Sequence, residues 1–131
     1  MPRMKRLLAT LALAAVLAVP AQAQKQPDPK AVQEIFDCLA VGLPKDWKKA
    51  WVVVTELADT GKERRFESQS FYADSPAAVA GKPLATCGAE VVARGVIALS
   101  ADLPAEQRRW KQARLTYFSE GKFDLAYDYG K

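Results

Sequence analysis

The chain has 131 residues, with 19 Lys and Arg against 15 Asp and Glu and no histidine. A length of this order suits one domain around one core rather than two. The missing histidine excludes Ser-His-Asp and Cys-His nucleophilic systems, histidine metal ligation and the commonest general base near neutral pH.

The first element is an export signal. MPRMKR carries three basic residues and no acid, the apolar run Leu7 to Val19 follows, and Ala21-Gln22-Ala23 supplies a small-residue cleavage pattern; together they predict a secretory signal peptide cut after Ala23. The run has 13 residues, fewer than the roughly 20 that a membrane-spanning helix needs. Loss of Arg3, Lys5 and Arg6 leaves 16 basic residues against 15 acidic ones, so the formal charge falls from +4 to +1. A near-neutral mature chain has no general electrostatic reason to bind nucleic acid or, once the signal is removed, an anionic membrane. The basic runs Lys62 to Arg65 and Arg108 to Lys111 read as solvated faces.

Residues 24–29 form a polar, proline-containing, flexible lead-in, and residues 30–131 a single domain. Val32, Ile35, Phe36, Leu39 and Ala40 recur at three and four residues with polar residues between them, which predicts an amphipathic helix. Asp28 and Pro29 suit its N-cap and first turn, and Gly42 and Pro44 stop it. Asp46 to Leu57 is rich in β-branched and aromatic residues and apolar on both sides, with Trp51 and Val53 on one and Val52 and Val54 on the other. That suits a central strand covered on both faces, or one covered by a partner. The turn Asp59-Thr60-Gly61 leads to a partner strand within Lys62 to Ala73.

Asp74 to Leu84 is turn-rich and predicts a loop. A second helix is expected over Thr86 to Leu99, with Val91, Val92, Gly95, Val96, Ala98 and Leu99 on its buried stripe. A short helical turn follows Leu103-Pro104. A second hairpin then runs from Trp110 to Phe118 and through Ser119-Glu120-Gly121 into a terminal strand, on which Phe123, Leu125, Tyr127 and Tyr129 share one face and Lys122, Asp124 and Asp128 the other. The order α-β-β-α-β-β predicts an α+β fold, a small antiparallel sheet of about four strands packed against two helices.

The two cysteines, Cys38 and Cys87, are an even number in an exported chain, which predicts one disulfide closing a loop of roughly 50 residues and stapling the end of the first helix to the start of the second. Two cysteines without histidine make a poor zinc site. The glycines form neither GxGxxG nor GxxxxGK[ST], so no phosphate cradle and no cofactor are expected. Glu120, Asp124 and Asp128 could pair as carboxylates, but they alternate outward on a terminal strand and read as a charged face. Of Trp47, Trp51, Trp110, Phe118, Tyr127 and Tyr129, most should be core, with one or two left exposed.

If the strands form one sheet with its other face on the helices, Arg65, Glu67 and Gln69 of the first hairpin and Gln112, Arg114, Lys122, Asp124 and Asp128 of the second make one open polar surface. The candidate partner-binding residues are Arg65, Glu67, Gln69, Arg114, Asp124 and Asp128. Charged groups of both signs fixed on strands can steer and register a protein partner.

Pro44-Lys45-Asp46-Trp47 ahead of a hydrophobic strand, Phe71 and Tyr72 on the next, Trp110 before a third, and the ending Gly121-Lys122-Phe123 with Tyr127-Asp128-Tyr129 together resemble the YezG-like family of bacterial immunity proteins. The resemblance covers roughly residues 30–130. It implies a non-enzymatic antitoxin whose partner is a cognate secreted toxin or effector. The signal peptide and the disulfide depart from the family's cytoplasmic pattern and imply a version acting in the periplasm. A periplasmic small-ligand-binding or envelope-associated structural domain, using the aromatic sheet as a pocket, is the alternative, and a hydrolase using acidic residues is a third.

Overall fold

The computed structural model describes residues 27–57 and 64–130. The expected signal peptide and the expected turn at Asp59-Thr60-Gly61 lie outside the described residues. Helix α1 spans Pro29–Ala40; the Asp28 carboxylate accepts from the Lys30 backbone N–H as its N-cap, and Pro29 occupies the first turn, where a missing N–H costs nothing. Strands β1, Lys49–Glu56, and β2, Phe66–Ala73, form the first hairpin, helix α2 spans Ala89–Leu99, and β4, Gln112–Phe118, and β5, Phe123–Asp128, form the second. A two-residue strand, β3, Lys82–Pro83, pairs with β2 inside the segment expected to be a loop. The fold is α+β, one five-stranded antiparallel sheet in the order β3-β2-β1-β4-β5.

β1 lies at the centre, between β2 and β4. Its inward residues Ala50, Val52 and Val54 are fully buried. They meet Ala113, Leu115 and Tyr117 of β4 across the ladder, and the same core takes in Val32, Ile35 and Leu39 of α1 and Val92, Val96 and Leu99 of α2. Both helices therefore lie on one face of the sheet. They approach closely where α2 carries Gly95: a Cβ there would stand 2.8 Å from Ile35 Cγ1. The residue that weakens helix propensity in α2 is thus the one that lets α1 pack against it.

The Cys38–Cys87 disulfide ties the last turn of α1 to the residue before the α2 N-cap. A backbone hydrogen bond of 3.0 Å from Cys87 N–H to the Cys38 carbonyl runs beside it. The stripe on α2 differs in phase from the expected one. Val92, Ala93, Val96 and Leu99 are buried, but Val91 is 51% exposed and Ala98 is exposed. The helix starts at Ala89 rather than Thr86, because Thr86 to Gly88 turn the chain, the Thr86 hydroxyl accepting from Gly88 N–H.

Candidate functional site

Away from the helices the sheet presents its second face, and the strand registers give its layout. Glu67, Thr55, Gln112 and Asp128 form one row across β2, β1, β4 and β5; Gln69, Val53, Arg114 and Ala126 form the next; Phe71, Trp51, Thr116 and Asp124 the third. Five of the six expected partner-binding residues, Glu67, Gln69, Arg114, Asp124 and Asp128, fall on this face, and all five are exposed. The sixth, Arg65, lies one residue before β2, with its carbonyl accepting from Leu57 N–H at 2.7 Å; alternation turns it to the same side as Glu67.

The face has a centre and a rim. Val53, half-buried in the central strand, is ringed by Gln69, Arg114, Thr55 and Gln112, with Gln112 Nε2 donating to Thr55 Oγ1 at 3.3 Å. Arg114 stands diagonal to Asp124 and Asp128 and makes no ion pair among the described residues. A small apolar centre, one Arg with donors to spare and a polar rim make up the composition that protein interfaces favour.

At the other end the face is closed by the chain itself. Trp51 is 3% exposed although it points away from the helices. It stacks on Phe71 with centroids 5.6 Å apart, and Gly81 presses on its ring so closely that a Cβ would stand 2.5 Å from Cη2. Lys49 Nζ lies 5.1 Å from the Trp51 centroid and donates to the Ala78 carbonyl at 2.6 Å, anchoring the loop. This is the second cover that a strand apolar on both sides required.

Most of the remaining aromatics face the helices. Phe36 packs between Trp47 and Tyr117, centroids 5.6 and 5.0 Å away, and Trp110, Tyr127 and Phe66 form a second cluster. The Tyr117 hydroxyl donates to the Val32 carbonyl at 2.7 Å; burial, with the charge of Asp37 assisting, pushes its pKa up and keeps it neutral. Burial likewise pushes the Tyr127 phenol up to about 12. Tyr129, at 43%, and Phe123, at 37%, are exposed rings.

Sequence reasoning missed Arg64. Within the run read as a solvated face, Arg64 and Arg65 are both exposed, but Arg64 also lies over Phe66 and Trp110. It donates from Nε to Glu56 Oε2 at 2.8 Å, and from its two terminal nitrogens to the carbonyls of Arg108 and Trp110 at 2.9 and 2.6 Å. In the run Arg108 to Lys111, Trp110 is fully buried between exposed cations. Beside Arg64 opens a cleft of about 660 Å³ lined by Glu56, Leu57, Arg64, Ala105, Arg108, Arg109 and Lys111. Among the described residues no three His, Cys, Asp or Glu side chains gather into a group that could hold a metal ion.

The hydrogen bond and charge of Arg64 hold the Glu56 carboxyl below the usual glutamate value; burial opposes this and Lys111, 3.4 Å away, assists. A depressed folded-state pKa stabilises the fold fully above the unfolded value, about 4.3, and this contribution disappears as pH falls through the lower folded value. Glu56→Gln should therefore lower the melting temperature at neutral pH, and thermal melts should show the gap to wild type closing as pH falls below the unfolded value. An equal gap at both pH values would mean that packing, not charge, holds this corner.

The chain matches no known family model and no curated protein.

Proposed function

We propose that the protein is an exported immunity protein, akin to the YezG-like antitoxins, which acts in the periplasm by binding a cognate secreted toxin and does no chemistry of its own. The observation that carries this reading is the outer sheet face. Glu67, Gln69, Arg114, Asp124 and Asp128 are set on three strands of one sheet whose other side is fixed by the core, so they meet a partner with little ordering cost. Export is supported by the N-terminal sequence and by the Cys38–Cys87 bridge, which is compatible with an oxidising compartment. No helix among the described residues is long and apolar enough to cross a membrane.

The test is charge reversal at two ends of the face, with the protein encoded beside this gene as the toxin candidate. Arg65→Glu and Asp124→Lys should each weaken its binding in calorimetry by more than tenfold, about 1.4 kcal/mol. Both side chains are exposed, so melting temperatures should hardly change. Unaltered affinity in both would move the interface off this face, and the loop from Asp74 to Leu84 would be examined next.

The cleft at Arg108, Arg109 and Lys111 favours a second reading, a binding domain for a small anionic ligand. It predicts that periplasmic material releases an anion of low mass from the purified protein, with no protein partner retained.

A further inference from the structure

The two edges of the sheet are built differently. At one end β3 is two residues long, and one of them, Pro83, has no N–H; short edge strands and prolines prevent further pairing. At the other end β5 runs six residues without proline. Phe118 N–H donates to the Lys122 carbonyl at 2.9 Å and Lys111 N–H to the Asp128 carbonyl at 2.8 Å, so the even-numbered residues of β5 direct their backbone groups at β4. By the alternation of an antiparallel ladder, Phe123, Leu125 and Tyr127 direct theirs outward. Among the described residues none of those three N–H groups finds a backbone partner in the turns or loops.

We infer that β5 is the seam of a symmetric homodimer, in which β5 of a second copy adds antiparallel to it and joins two five-stranded sheets into one of ten. The occupant follows from the charge pattern along the strand. Pairing Leu125 with Leu125 of the second copy bonds the outward residues in full, Phe123 opposite Tyr127 and Tyr127 opposite Phe123. The same register sets Lys122 against Asp128 of the second copy, twice by symmetry, and Asp124 against Ala126. These even-numbered positions are the non-hydrogen-bonded pairs, whose side chains stand closest. Sliding by two residues one way opposes Asp124 to Asp128; sliding the other way opposes Asp124 to Asp124 and Asp128 to Glu120. The central register alone among the three is free of like-charge pairs, so the strand is complementary to itself in one alignment.

Burial agrees with this assignment. Phe123 is 37% exposed, and Leu125 and Tyr127 are only half-buried, so the helix-side row along the edge has apolar surface left to cover. Pairing through the edge leaves Glu67, Gln69 and Arg114 uncovered, and the dimer would present the outer face twice.

Sedimentation of the exported, disulfide-bonded protein tests this. Wild type should show a concentration-dependent monomer–dimer equilibrium, and the amides of Phe123, Leu125 and Tyr127 should exchange more slowly as protein concentration rises. Lys122→Asp and Asp128→Lys each turn two attractive pairs into repulsive ones and should each raise the dimer Kd by about tenfold or more. The double variant K122D/D128K restores both pairs in reversed order and should return the Kd to near the wild-type value. A monomer up to about 1 mM, single variants that dimerise as wild type does, or a double variant no better than the singles would each overturn the seam. Protection of the three amides only when a different protein is added would assign the edge to that partner's strand instead.

Discussion

Trp110→Ala should destabilise the protein by about 3–5 kcal/mol, the range for deleting a large buried aromatic, against a total of roughly 5–15 kcal/mol for a domain of this kind. The ring is fully buried at the joint where the short helical turn Ala105–Arg108 meets β4. It packs on Phe66 at 5.2 Å and Tyr127 at 5.7 Å between centroids, with the Arg64 guanidinium 5.6 Å away. Removing it opens a cavity between the two hairpins and strips Arg64 of the surface on which it lies. Trp110→Phe should behave differently. The indole Nε1–H has no hydrogen-bond partner among the described residues, and a buried unpaired donor costs about 1–3 kcal/mol. Phenylalanine removes that donor together with part of the ring, so its net loss should be less than half that of alanine. Urea unfolding with an unchanged m-value would measure both. Equal losses for Phe and Ala would mean that the indole nitrogen is satisfied in solution.

Loss of the disulfide should be comparable in size. Cys38 and Cys87 are separated by 49 residues, and the chain-entropy argument gives about 4 kcal/mol for closing a loop of that length, within the roughly 2–5 kcal/mol seen when native bridges are removed. Cys38→Ala should lie in that range. The Cys38 side chain is also buried against the two helices, so a small packing loss adds to the entropic one. Cys38→Ala with Cys87→Ala should be no worse than Cys38→Ala alone, because the bridge is already gone. Intact mass of the unreduced wild type should be lower than that of the reduced form by about two hydrogens. A native protein with two alkylatable thiols would contradict the bridge.

The elements that were legible in the sequence are those with strong periodicity. Val32, Ile35 and Leu39 announce α1, and Asp28 and Pro29 announce its start, because capping is local chemistry. β1 reads as central because Trp51 and Val52 cannot both be core in a strand with one solvated face. What covers Trp51 was not legible: Gly81 and the Lys49 contact with Ala78 lie 30 and 29 positions or so away along the chain, in a loop of small residues without a pattern. β3 escaped because two residues, one a proline, carry no alternation. The phase of α2 was misjudged at Val91 and Ala98 because its small, apolar sequence fits several stripes, and Gly95 against Ile35 chooses among them. Arg64 was invisible for a different reason. Two of its partners are backbone carbonyls, at Arg108 and Trp110, and a carbonyl has no residue type. The outer face was legible because strand parity alone fixes it once the sheet is single.

Whether the outer face meets a protein is tested most directly by retention of partners from a periplasmic extract. Immobilised wild-type protein should retain one protein in equimolar amount, and the double reversal R65E/D124K, folded to the same melting temperature, should lose it. Retention of the same protein by both forms, or of no protein by either, would contradict the account.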